Sequence, residues 1–283
     1  KKEAKSPMVW RVLDFQRYNA FENMAIDEAI FRETINKKKP PTIRFYGWQP
    51  AAVSIGYFQD IEKEVNIEKC RADGVDIVRR ISGGKAVAHC DEVTYSVAAC
   101  DEEELFPADI LGTYKIISQC IARGLAYLGI QAALAETGRN LDEADCKSCC
   151  FSVPSRNELL VSKRKICGSA QFRANSGFLQ HGSLLMNFDP LKTGAYLLPR
   201  RTSIQLQKLK ESVAAINEEV DQAVDETEVC ALLKKGFTDV LDVRLEEGVL
   251  TTAEEDLRKE LIKKYFDARW NMNRKKEPFK IDN

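Results

Sequence analysis

Apolar residues in this chain keep two different rhythms, and where each rhythm falls limits the fold the chain can reach. Through the middle they alternate with polar ones, as in Val93–Ala99, which is the two-residue period of a strand with one buried face. On the flanks they recur every three or four residues, the period of a helix packed along one side. Phe21, Met24, Ala25 and Ala29 share such a face, and Asn19 with Glu22 fits a capping box, so a helix is expected over 19–35. Short strands are expected at 42–48, 51–56, 75–80, 93–99, 158–161 and 178–188. Ile117, Cys120, Ile121, Leu125 and Leu128 put a helix at 114–129, and 135–148 is polar enough to be an exposed loop. Helices at 228–241 and 251–270 follow, the second opened by a capping box of Thr251 and Glu254. No internal repeat and no clear linker interrupt this order. It predicts an α+β fold, a single domain with a mixed β-sheet flanked by helices, rather than a repeating βαβ pattern.

Composition excludes several alternatives. The chain has 283 residues, 30% charged and 44% hydrophobic, which is an ordinary globular profile. No uninterrupted apolar run reaches about 18 residues, so no spanning helix and no membrane role are expected. Lys and Arg number 42 against 43 Asp and Glu, a balance that argues against nonspecific nucleic-acid binding. Nine cysteines cannot all pair within one chain, and the charged opening Lys1–Lys5 is not followed by an apolar core. Free thiols in a reducing compartment, the cytoplasm, are therefore expected. Residues 1–9 are read as a tail or cloning remnant, 10–274 as the catalytic domain and 275–283 as a C-terminal tail.

Four segments carry chemistry. Arg79-Arg80-Ile81-Ser82-Gly83-Gly84-Lys85-Ala86-Val87-Ala88-His89 runs from a strand into glycines, where backbone N–H groups can approach an acyl carbonyl, a carboxylate or a phosphate. A solvated hairpin turn would look similar, and no Walker pattern is present. Lys163-Arg164-Lys165-Ile166-Cys167-Gly168-Ser169-Ala170-Gln171 brings a lysine beside small residues that admit a substrate. Leu179-Gln180-His181-Gly182-Ser183 holds one of only two histidines, the other being His89. Each is as well read as a satisfied core histidine as a partner for a nucleophile.

Cys146, Cys149 and Cys150 form the fourth segment. Cys146 and Cys149 have C-x-x-C spacing, but no second pair completes a zinc site, so no metal is expected. A redox pair lacks its usual βαβ surroundings. A thiolate nucleophile needs a nearby cation, for which Lys165 is a candidate. Cys70, Cys100, Cys120 and Cys230 are read as small buried hydrophobes.

The order and spacing of these segments resemble one family. Asn23-Met-Ala-Ile-Asp27-Glu28-Ala29, the Arg79–His89 loop, Lys165–Ala170 and Gln180–Leu184 are similar to the four motifs of the lipoate-protein ligase and octanoyltransferase superfamily. Cys150-Phe151-x-x-Pro154-Ser155-x-x-Glu158-Leu159 resembles a segment of its cysteine-dependent, LipM-type octanoyltransferases. Lys85, where ATP-using ligases usually carry a third glycine, and the stretch from Leu250 to Asn271 resemble the same branch, without the accessory domain often present in bacterial ligases. The likeness runs from about Trp10 to about Arg274. Three departures stand out: Cys90 replaces the usual Asp after the loop histidine, Cys149 adjoins Cys150, and Gly138-Arg139-Asn140 resembles a ligase segment.

The resemblance implies a biotin/lipoate ligase-like catalytic domain, acting as a monomer. It implies that Cys150 accepts an octanoyl group from octanoyl-acyl carrier protein and passes it to a lysine of a lipoyl domain or glycine-cleavage H protein, without a cofactor. Lys165 would activate the cysteine, orient the thioester or move a proton. Arg80, Ser82, Gly83, Gly84, Ala86, Val87, His89, Gly168, Ser169, Ala170 and His181 would line the acyl site. Arg79, Arg80, Lys85, Lys163, Arg164, Arg200 and Arg201 would steer acidic protein partners. An ATP- and Mg-dependent lipoate ligase forming an acyl-adenylate is the alternative, and a non-catalytic acyl- or zinc-binding protein the more distant one.

Overall fold

The computed structural model describes residues 7–37, 39–101, 105–135, 158–174, 177–197 and 202–281. In chain order these residues form β1 (Met8–Tyr18), α1 (Ala20–Lys37), β2 (Thr42–Trp48), β3 (Ala52–Ile55), α2 (Ile61–Glu64), α3 (Ile67–Ala72) and β4 (Asp76–Arg79). Then come β5 (Val87–His89), β6 (Glu92–Cys100), α4 (Ile110–Ala126), β7 (Ala133–Leu134), β8 (Leu159–Val161), β9 (Arg164–Ala174) and β10 (Gly177–Leu185). The last elements are α5 (Pro190–Leu197), α6 (Ser203–Ser212), α7 (Glu226–Leu241), β11 (Val243–Glu247), α8 (Thr252–Phe266) and α9 (Ala268–Met272).

Eight strands form one mixed sheet in the order β11-β1-β2-β6-β10-β9-β8-β7, and β4-β3-β5 form a second, smaller one. The expected α+β layering is what the chain adopts. The alternating pattern of β6 explains the layers. Val93, Tyr95 and Val97 face an apolar core shared with Ile117, Cys120, Ile121 and Leu125 of α4 and Val229, Leu233 and Phe237 of α7. On the opposite face α1 lies against the sheet, and α8 packs over α1 through Leu261 and Tyr265. The polar residues between the apolar ones, Thr94 and Ser96, are buried as well. The second face of β6 therefore points into the site rather than into solvent.

Helix boundaries follow local chemistry. α4 begins four residues earlier than the apolar spacing suggests, because Asp109 caps it by accepting from the Gly112 N–H at 2.7 Å. The single helix expected at 251–270 is broken at Asp267, whose extended backbone closes α8 while its side chain accepts from the Arg269 N–H to open α9. β1 has no sequence forecast, since its alternation is interrupted by a register shift between Leu13 and Gln16. Residues beyond 274 pack back onto the domain: Phe279 meets Tyr57, Phe172 and Trp270, and Ile281 is buried beside α1 residues Ile26 and Ile30.

Candidate active site

Two strand pairings build the site. β9 and β10 run antiparallel with His181 opposite Ala170, Gly182 opposite Ser169 and Ser183 opposite Gly168. The lysine segment and the histidine segment are thus hydrogen-bonded neighbours. Gly182 has to be glycine: a Cβ there would lie 2.3 Å from Ser169 Oγ and 2.7 Å from Tyr95. β8 enters β9 through a tight turn in which Ser162 and Lys163 both have positive φ, 49° and 67°. That turn sets Lys165 opposite Leu160, and the N–H of Ala214 donates to the Lys165 carbonyl at 2.9 Å. The Lys165 backbone is held from both sides.

The second pairing belongs to the small sheet. β4 leads into the Ser82-Gly83-Gly84 turn and β5 leads out of it. Arg80 curls this turn by donating to the carbonyls of Gly83 at 2.8 Å and Lys85 at 2.7 Å, and to Ser54 Oγ at 3.0 Å. Gly84 has φ +88°, and a Cβ on Gly56 would stand 2.0 Å from the Gly84 carbonyl oxygen. The two glycines let the turn press against the end of β3.

Between the sheets lies a cavity of about 770 Å³, mouth included, within the roughly 300–1,000 Å³ range of small-molecule sites. Arg80, Gly84, Val87, His89, Lys165, Gly168, Ser169, Ala170 and His181 line it, as the sequence reading anticipated. Ser82 stands behind His181, Gly83 borders a neighbouring cleft with Phe58 and Arg274, and Ala86 belongs to the apolar core of the small sheet. Cys150, Cys146 and Cys149 lie outside the described residues. Tyr46, Trp48, Thr94, Glu158 and Ser183 also line the cavity, and sequence reasoning gave none of them a role. Glu158 and Ser183 did lie within quoted motifs; Thr94 was hidden by an alternation that reads as solvent-facing.

Each histidine is locked at both ring nitrogens. His181 Nε2 lies 2.6 Å from Ser82 Oγ and Nδ1 lies 3.3 Å from Asp27 Oδ2. Burial pulls the His181 pKa below its ordinary value despite the nearby Asp27. The neutral ring donates from Nδ1 to the carboxylate and accepts the Ser82 hydroxyl proton at Nε2. Asp27 also accepts from Arg44, Tyr46 and Ser96 at 2.8–2.9 Å. Burial pushes its carboxyl up, but the bonds to His181, Arg44 and Tyr46 together hold it below the ordinary value. His89 lies 2.7 Å from both Glu92 Oε1 and Ser54 Oγ, and its ring stacks on Trp48 at 3.9 Å. Thr94 and Ser183 donate to the same Glu92 oxygen at 2.5 and 2.7 Å.

Lys165 meets a carboxylate instead. Its Nζ is 2.7 Å from Glu158 Oε1, and both side chains are about 5% exposed. Nearby thiols and phenols are poor proton carriers. Burial pushes the Cys167 thiol up to about 12, and burial with the charge of Glu158 drives Tyr114 well above its ordinary value. The cysteines read as buried hydrophobes, Cys70, Cys100, Cys120 and Cys230, are buried and free, as is Cys167.

The basic steering set needs correction. Arg79 is 0% exposed and Arg80 5%, with their guanidinium groups bonded to carbonyl oxygens and Ser54, so neither forms a docking surface. A guanidinium has five donors in a rigid fork, and here that fork ties loops together. Arg164 pairs with Glu218 and Glu219. Lys163 is exposed at its turn, Lys85 lines the cavity, and Arg200 and Arg201 lie outside the described residues.

Residues 19–238 match the family described as the lipoyl protein ligase A/B catalytic domain. The chain is 39% identical over 274 residues to the octanoyltransferase LipM of Geobacillus kaustophilus, covering 94% of this chain and 99% of that protein. It is 34% identical over 268 residues to the octanoyltransferase LipM of Clostridioides difficile, with the same coverage. Its fold superposes with a TM-score of 0.80 and 26% identity on a structure from Thermoplasma acidophilum, described as a bi-partite lipoate protein ligase and its E2 lipoyl domain, covering 96% of this chain and 98% of that one. Among the described residues no helix is long and apolar enough to cross a membrane.

Proposed function

We propose how this chain, which belongs to the lipoyl protein ligase A/B catalytic-domain family and within it to the octanoyltransferases, carries out its transfer of octanoyl groups in protein lipoylation. The octanoyl group arrives as a thioester on acyl carrier protein. The Cys150 thiolate attacks the thioester carbonyl, and the carrier sulfur leaves with the electron pair of the broken C–S bond. The ε-amine of a lysine on a lipoyl domain or glycine-cleavage H protein then attacks the acyl-enzyme, and an amide replaces the thioester. Thioester exchange is nearly neutral in energy and amide formation is downhill, so no ATP, metal or other cofactor is required. Free thiols suit a reducing cytoplasm.

The observation that carries this reading is the buried Lys165–Glu158 pair on the wall of a ligand-sized cavity. An ammonium in a water-poor site stabilises a neighbouring thiolate, and the oxyanion formed when a thioester is attacked, far better than it would in bulk water. The small residues Gly168, Ser169 and Ala170 let the acyl carbonyl come close to that cation. The locked histidines hold the floor and the glycine turn in register.

The test is the intact mass of the protein after incubation with octanoyl-acyl carrier protein in the absence of ATP. One added octanoyl group, missing in Cys150→Ala, is the expected result. Modification of the acceptor only when free octanoate and ATP are supplied overturns the covalent route and points to an acyl-adenylate.

A further inference from the structure

Transfer to a lysine needs a base, because an attacking amine must shed a proton before the amide is complete. Six nearby groups could be asked to accept it. His181 and His89 are engaged at both ring nitrogens. Tyr114 and Cys167 are driven away from neutral titration by burial. Lys165 stands beside a carboxylate, which favours its charged form. Glu158 is the remaining group: it lines the cavity, 5% exposed, with its Oε1 on the Lys165 ammonium.

We propose that Glu158 is the proton acceptor of the amine-transfer half-reaction, with Lys165 as the cation that keeps it ionised between turnovers. This rests on the cysteine acyl-enzyme described above. The incoming lysine loses one proton to water and attacks as a neutral amine. The C–N bond forms, the C–S bond breaks with its electron pair leaving on sulfur, and one N–H proton passes to the Glu158 carboxylate. The site is left with a thiolate, an ammonium and a carboxylic acid. In the next acylation the thiolate attacks a new carrier thioester, and the departing carrier sulfur takes the proton from Glu158. One thioester and one amine have become one amide and one thiol, and the pair is reset.

The experiment loads the full-length enzyme from octanoyl-acyl carrier protein and follows discharge of the acyl-enzyme by mass in single turnovers. Two nucleophiles are compared: a lipoyl domain, and hydroxylamine, a small amine already neutral near pH 7. Glu158→Gln is expected to acylate, because a departing thiolate can take its proton from water. Its discharge to the lipoyl domain should fall about 100-fold, within the range for loss of a general base. Discharge to hydroxylamine should stay at the wild-type rate. Glu158→Asp keeps the charge and withdraws it by one methylene, so it should recover roughly a tenth of the wild-type lysine rate. If Glu158→Gln does not fold, the Asp variant alone carries the comparison. Lysine discharge at the wild-type rate in either variant, or an equal fall with both nucleophiles, removes Glu158 from proton transfer. Absence of acyl-enzyme in the wild-type protein instead overturns the covalent route on which this role depends.

Discussion

Arg79 and Lys165 both sit beside glycine-rich turns, and both are buried cations, at 0% and 4% exposure. They are buried for different ends. The Arg79 guanidinium donates to the carbonyls of Gly56, Tyr57, Gln59, Trp270 and Asn271 at 2.8–3.2 Å. Its backbone N–H donates to Asn271 Oδ1, and the Trp270 indole donates to its carbonyl. It stitches the end of β4 to the loop after β3 and to α9. Lys165 makes an ion pair and faces a cavity. A cation satisfied by carbonyls from several segments holds a fold; a cation satisfied by one carboxylate beside empty space is available to a substrate. The contrast separates structure from chemistry where the motifs alone do not.

Lys165→Met and Arg79→Met test the contrast directly, and carry the largest expected effects. Both should lose several kcal/mol of stability, about 3–5 for Lys165→Met, because Glu158 is left as an uncompensated buried charge. For Arg79→Met, several backbone carbonyls lose their partner at about 1 kcal/mol or more each. Turnover should then divide them: a fall of roughly 1,000-fold per folded molecule for Lys165→Met, and under about 10-fold for Arg79→Met. Denaturant melts paired with single-turnover rates measure both. Equal losses of turnover would collapse the distinction.

Gly56→Ala asks how far the Arg79 stitching governs the cavity. Its Cβ would meet the Gly84 carbonyl at 2.0 Å, so the turn must move outward. A displacement of this size is expected to cost about 100-fold in rate. Acyl-enzyme formation by mass reports it, with circular dichroism as the check that the fold persists.

A smaller, pH-dependent effect comes from His181. Burial holds its pKa below the ordinary 6.5 in the folded chain. On acidification the unfolded chain therefore takes up the proton first, and stability falls as pH drops through that value. Asp27 acts in the same direction at lower pH: held below 3.8, it contributes stability above that value that is lost as pH falls through its folded pKa. Stability curves of wild type and His181→Gln should diverge near neutrality and run parallel below the folded pKa of His181. Parallel curves throughout would mean that the histidine does not sense pH. The smallest effect is expected for Ser183→Ala, which removes one of three groups on the Glu92 oxygen at about 1 kcal/mol. A fall of roughly 2–4 °C in Tm would register it.

What the sequence determined by itself is considerable. The two hydrophobic periods predict the sheet and its flanking helices, since periodicity needs only local geometry. The capping box of Thr251 and Glu254 is present as read, with reciprocal bonds at 2.7 and 3.3 Å. Motif order identified the family, and nine of the anticipated site residues line one cavity. The tertiary structure decided the rest, because burial and proximity between distant segments leave no local trace. Thr94, Ser96 and Ser183 alternate with apolar residues as though one face met water, yet α1 and the small sheet cover that face and turn it into the floor of the site. Glu158 lies seven residues from Lys165, and only the Ser162–Lys163 turn brings its carboxylate within 2.7 Å of the ammonium. Arg79 and Arg80 are adjacent in the chain, and the fold directs one to α9 and the other into the glycine turn. Charge is written in the sequence; the partner that neutralises it is chosen by the fold.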